Sequence, residues 1–142
     1  INTKEDLAGK VVVTQADSSA LTALTNEEDN DENLALAASF ASLEQVADYN
    51  TAFMNLESGI VDAIAVDIGV AQYQLTSRGD QFRKLDEPLS TEQYAIGFKL
   101  GNTELRDQVQ NTLNEMVEDG TFDKIVANYS DYKLEKMVCL GK

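Results

Sequence analysis

Short, almost wholly apolar runs alternate with helical patterns over the first part of this chain, and this alternation constrains the fold most. Val11-Val12-Val13-Thr14 and Ala63-Ile64-Ala65-Val66 are too short for buried helices and are typical of strands covered on both faces. Helical patterns follow at 20–24, 50–58 and 68–76. The alternation predicts an α/β fold with a parallel-rich sheet flanked by helices.

Weaker patterns complete the predicted organisation. Further strands are expected at 44–49, 82–85 and 94–99. The last third is expected to be helical, because four apolar residues recur at helical spacing before a break at Gly120: Leu105, Val109, Leu113 and Met116. An apolar stripe of this kind needs a partner, so we expect these helices to fold back on the α/β part or to pack in a homodimer.

Charge and composition exclude several classes of function. The chain has 142 residues, with 25 acidic against 11 basic side chains, no histidine and one cysteine. So negative a surface disfavours nucleic acid and anionic membranes as partners. No cofactor is predicted, and one thiol cannot form an internal disulfide. The acidic stretch 26–33 is expected to be a solvated loop, and a calcium site there is the weaker alternative because the stretch has no glycine.

Two places at the predicted carboxyl ends of strands are suited to a ligand. Gln15, Asp17, Ser18 and Ser19 lie between the first strand and a helix, where backbone N–H groups favour a carboxylate. Asp67 ends the strand 63–66 and can pair with an ammonium group. Helix capping explains each place equally well when it is taken alone. Together they match the two charges of a free amino acid.

Four segments in order resemble the amino-acid-binding receptors of bacterial ABC importers, a family of periplasmic binding proteins with a venus-flytrap fold. The four segments are 5–15, 56–67, 92–99 and 105–125. The first is similar to the family's entry into its second lobe. The resemblance implies that 17–19 holds the ligand's α-carboxylate and that Asp67 holds its α-ammonium. Asp17 departs from the family pattern, which has glycine at that position.

The resemblance also implies a domain organisation. Residues 1–91 would form the second lobe, and 92–142 a return strand and the C-terminal helices of a first lobe whose N-terminal part is absent. We therefore expect a C-terminal fragment with half a binding site and weak ligand binding on its own. The implied role is the substrate-binding component of an ABC importer, which is not an enzyme and delivers an amino acid to a membrane permease.

Location and rival functions follow from the same resemblance. It implies a periplasmic or extracellular protein, anchored as a lipoprotein in a Gram-positive organism. The chain opens at Ile1 without a signal sequence, which we interpret as a processing boundary. An enzyme on the same fold, similar to cyclohexadienyl dehydratase, and the ligand-sensing domain of a receptor are the alternatives.

Overall fold

The chain divides into two compact units in a computed structural model that describes residues 1–26, 28 and 31–140. The first unit is Ile1–Thr91 and the second is Glu92–Lys142. The assignment of these two units to the lobes of a receptor stays a prediction.

A parallel sheet organises the first unit. In the described residues it has three strands: β1 (Val11–Gln15), β2 (Ser42–Val46) and β3 (Ala63–Ile64). The order is β2-β1-β3, and both neighbours run parallel to β1. Val11 pairs with Ser42 and Gln15 with Val46, while Val12 pairs with Ala63. The predicted α/β class with a parallel sheet is therefore confirmed.

Helices connect and follow the strands. Helices α1 (Ser19–Thr25) and α2 (Asp31–Ser39) lie between β1 and β2, and α3 (Tyr49–Glu57) lies between β2 and β3. Helix α4 (Ile68–Arg78) follows β3, and short 3-10 turns occupy Glu5–Leu7 and Gly79–Gln81. Each helix after a strand begins at the carboxyl edge of the sheet, since parallel strands end on the same side.

The core lies on both faces of the sheet. Val12 belongs to one buried cluster with Leu7, Leu24 and Ala65, and it is 2% exposed. Val13, fully buried, belongs to a second cluster with Ala52 and Val61. Successive residues of a strand point to opposite faces, so the apolar run 11–13 supplies both clusters. This explains why β1 shows no polar alternation.

Several local predictions are wrong. Residues 82–85 and 94–99 form no strand, and 31–33 are the start of α2 and not a loop. β2 begins two residues before the predicted strand, and Tyr49 opens α3. A strand needs hydrogen bonds from a neighbouring strand. Residues 94–99 pair with no strand in the described part of the chain, and Tyr94 is 80% exposed.

The second unit is helical. Helix α5 (Thr103–Glu118) and the shorter α6 (Thr121–Ala127) are followed by 3-10 turns at Ser130–Tyr132 and Leu134–Lys136. None of its described residues is buried. Three residues of the predicted stripe, Leu105, Val109 and Leu113, line a shallow groove of about 320 Å³ on α5. None of the described helices is long and apolar enough to cross a bilayer.

Arg78 joins helices α3 and α4 of the first unit. Arg78, at the end of α4, lies 2.6 Å from Glu57 Oε1 at the end of α3. Its guanidinium group also lies 5.8 Å from the ring centroids of Phe53 and Phe82. Phe82 therefore packs as an anchor for α3 and α4 instead of joining the sheet.

Replacing Arg78 by alanine tests this anchor. Arg78→Ala removes the ion pair and both ring contacts, so we expect the free energy of unfolding to fall by about 1–2 kcal/mol. Urea denaturation measures the change. Lys84→Ala is the control, because among the described residues the exposed Lys84 ammonium donates to the carbonyl of its neighbour Leu85. We expect the control to stay within about 0.5 kcal/mol of the wild type. Equal effects of the two substitutions would contradict the anchor.

Candidate functional site

Three helices begin at the carboxyl edge of the sheet, each directly after a strand. Ser18 is the N-cap of α1, Asp48 is the N-cap of α3 and Asp67 is the N-cap of α4. The strands that precede them are β1, β2 and β3, which are neighbours in the sheet. The 15–19 turn and Asp67 therefore follow adjacent strands, and the sheet brings them to one edge.

Hydrogen bonds to the end of β2 and within the turn fix residues 15–19. Gln15 donates from Nε2 to the carbonyl of Ala47 at 3.1 Å, and the N–H of Ala16 donates to the carbonyl of Val46 at 2.9 Å. Ser18 Oγ accepts from the N–H of Leu21 at 3.1 Å and donates to the carbonyl of Gln15 at 2.8 Å. Ser18 is thus a helix cap, the structural alternative that its sequence position allowed. Ser19 is the exposed first residue of α1.

Asp17 has an unusual backbone conformation. Its φ is 56°, in the left-handed region that favours glycine, and its side chain is exposed. Aspartate tolerates this region better than most residues. The departure from glycine at this position is therefore compatible with the turn. It places a carboxylate beside the two serines.

Asp67 caps helix α4 with one oxygen. Oδ1 accepts hydrogen bonds from the N–H groups of Gly69, at 2.7 Å, and Val70, at 3.2 Å. A Cβ atom at Gly69 would lie 3.0 Å from this oxygen, so glycine leaves room for the capping carboxylate. The side chain is half-buried. A carboxylate has about four acceptor positions, so capping is compatible with binding an ammonium group.

Thr14, which was not predicted from the sequence as a site residue, connects the two places. Its side chain is fully buried, Oγ1 donates to the carbonyl of Ala65 at 2.9 Å, and it lies 3.2 Å from Ser18 Oγ. Ala65 stands two residues before Asp67. The only sequence signal was a hydroxyl residue within an apolar strand.

Two further aspartates mark the edges of the sheet. Asp48 accepts hydrogen bonds from the N–H and the hydroxyl of Thr51, which lower the pKa of its carboxyl group. Asp62 lies at the opposite, amino edge, where its Oδ2 accepts from the N–H of Val11 at 2.9 Å.

No metal site is found among the described residues, since they contain no suitable cluster of three or more acidic, histidine or cysteine side chains. The calcium alternative concerned the acidic stretch 26–33. Glu27, Asp29 and Asn30 of that stretch lie outside the described residues.

The sequence is similar to two curated amino-acid-binding proteins. It is 29% identical over 94 residues to the ABC transporter glutamine-binding protein GlnH of Bacillus subtilis, covering 66% of this chain and 34% of that protein. It is 30% identical over 89 residues to the glutamate-binding protein GluB of Corynebacterium glutamicum, covering 59% and 30%. The chain thus spans about a third of the length of these relatives. No family model matches it.

The fold is similar to that of solved binding proteins. An ancestral arginine-binding protein, solved bound to glutamine and bound to arginine, matches with a TM-score of 0.71 in both structures. The identities are 31% and 30%. Each match covers 90% of this chain, with 53% and 54% of the respective neighbour chains.

The parallel sheet, with helix N-termini at its carboxyl edge, therefore has the fold of a periplasmic binding protein. The chain is similar in sequence to part of the glutamine-binding protein of an ABC transporter and to part of a glutamate-binding protein.

The backbone at Asp17 can be tested by substitution. Asp17→Gly is expected to keep the free energy of unfolding or raise it by up to about 1 kcal/mol, since glycine adopts positive φ without strain. Asp17→Val should lower it by about 1–2 kcal/mol, because a β-branched residue is strained there. Thermal or urea unfolding measures both. Asp86, which is exposed and whose φ is not positive, is the control site. There the valine variant should have a free energy of unfolding no lower than that of the glycine variant. A shared order at both sites would show that Asp17 is not strained.

Proposed function

We propose that this chain supplies half of an amino-acid-binding site in the substrate-binding component of an ABC importer. One observation carries the proposal: the 15–19 turn and Asp67 follow adjacent parallel strands and are linked through Thr14. The relatives support the ligand class, since their names give glutamine, glutamate and arginine.

The two charges of the amino acid would be held by different means. The α-carboxylate would lie against the amide groups of the 17–19 turn, with the exposed Ser19 hydroxyl as a further donor. The α-ammonium would contact the carboxylate of Asp67. This aspartate is held by two backbone amides, so it need not reorganise when the ligand arrives. Gln15 would support the turn through its hydrogen bond to Ala47.

Asp17 would moderate the affinity of the turn. Its carboxylate lies next to the proposed carboxylate site, and like charges repel. A ligand with an additional positive charge would be favoured over one with an additional negative charge.

We propose that the protein binds an amino acid outside the cytoplasm, does not convert it chemically, and delivers it to a membrane permease. Both curated relatives are named as binding proteins, and the name of GlnH places it in an ABC transporter. A lipoprotein anchor in a Gram-positive organism is the form of attachment that we propose.

The second unit would take part in the same receptor. We propose that residues 92–142 belong to the other lobe and that 1–91 form the second lobe. The apolar stripe on α5 needs a covering surface, because Leu105 is 45% exposed. In the isolated chain, a homodimer is the arrangement that we propose for covering it.

A ligand screen and one charge-removing substitution test the proposal. In the full-length protein, one or more of the twenty amino acids should raise the melting temperature. Asp67→Asn should then raise the Kd for that amino acid about 10- to 100-fold. The charge-assisted hydrogen bond to the ammonium group is lost, while asparagine still caps α4. Isothermal titration calorimetry measures the change.

Asp62→Asn is the matched control, because Asp62 lies at the opposite edge of the sheet. We expect it to leave the Kd within about threefold, a free-energy change of at most about 0.65 kcal/mol. An unchanged Kd in the Asp67 variant would remove Asp67 from the site. No response to any amino acid would overturn the proposed function.

A further inference from the structure

We infer that Thr14 is a positioning residue, which fixes the separation between the carboxylate-binding turn and Asp67. The inference rests on the proposed function and adds to it a residue that does not touch the ligand. Thr14 is fully buried. Its hydroxyl group is the side-chain link between β1, the start of α1 and the segment that leads to Asp67.

The need for such a link comes from the short pairing between β1 and β3. The paired residues end at Val13 and Ile64, whereas β1 continues to Gln15 along β2. Beyond Ile64, two bonds through Ala65 hold the chain to β1. Its N–H donates to the carbonyl of Val13 at 2.9 Å, and its carbonyl accepts from Thr14 Oγ1 at 2.9 Å.

The same hydroxyl reaches the turn. Thr14 Oγ1 lies 3.2 Å from Ser18 Oγ, the atom that caps α1. Each hydroxyl has one proton: Thr14 donates to the Ala65 carbonyl, and Ser18 shares its proton between the Gln15 carbonyl at 2.8 Å and Thr14 Oγ1 at 3.2 Å. A part-buried contact of this kind has a defined length and direction. A movement of the turn relative to the 65–67 segment would therefore strain or break it.

The consequence is selectivity for ligands that carry both charges. A zwitterion gains from both contacts only when the turn and Asp67 are at the correct separation. A ligand that lacks the ammonium group uses the turn alone and does not depend on that separation. Loss of the Thr14 hydroxyl should therefore weaken the binding of the zwitterion more than the binding of the analogue that lacks the ammonium group. Lower stability alone would not change this ratio.

The test measures two Kd values in the full-length protein and its variants. The probes are L-glutamine with its des-amino counterpart 4-carbamoylbutanoic acid, and L-arginine with 5-guanidinopentanoic acid. The wild type should prefer at least one amino acid over its counterpart by about tenfold or more, the equivalent of one good hydrogen bond. Thr14→Val, measured well below its melting temperature, should reduce that preference about tenfold. Thr14→Ser, which restores the hydroxyl, should keep it within about threefold.

Thr25→Val is the matched control, because in the described part of the chain the Thr25 hydroxyl donates within α1, to the carbonyl of Leu21 at 2.8 Å. It should leave the preference unchanged. If Thr14→Val does not fold, Thr14→Ala removes the hydroxyl without setting a methyl group against the Ala65 carbonyl. A lower melting temperature with an unchanged preference would overturn the inference and leave the proposed function intact. A wild type that binds none of the probes would count against the proposed function itself.

Discussion

The parallel pairing of β1 with strands on both sides is the interaction on which the first unit depends. Its residues Val12 and Val13 enter separate buried clusters, one on each face of the sheet. The same pairing makes all three strands end at one edge, where three helices begin. Both the core and the candidate site therefore depend on the position of β1. A change that displaced β1 would disturb both.

Capping and ligand binding are not exclusive alternatives at this edge. Ser18 and Asp67 each stabilise a helix start by accepting backbone N–H bonds. These bonds also hold the polar groups still, which lowers the ordering cost when a ligand binds. Local sequence could not separate the two roles, because the residue types that cap helices are also those that contact small zwitterions. The neighbouring position of the two caps carries the functional argument.

The sequence predicted the elements that local pattern determines. The apolar runs at 11–14 and 63–66 marked β1 and β3, and the capping aspartate at 67 marked the start of α4. It failed where distant contacts decide. Phe82 lies in a strand-like pattern, yet its ring packs 5.4 Å from that of Phe53. Asn33 looked like part of a solvated loop, yet it is 3% exposed and donates to the carbonyl of Leu89 at 2.8 Å.

Thr14 shows why the candidate site was only partly predictable. A threonine within an apolar strand is ordinary, since its β-branched shape suits the sheet. Its importance comes from what lies beside it: a carbonyl on β3's extension and a serine four residues ahead. Neither neighbour can be read from local spacing. A fully buried hydroxyl without partners would be costly. The contacts of Thr14 with Ala65 and Ser18 remove that cost, and they also connect the 15–19 turn to the segment that leads to Asp67. This is a physical reason for a polar residue at a buried position of β1.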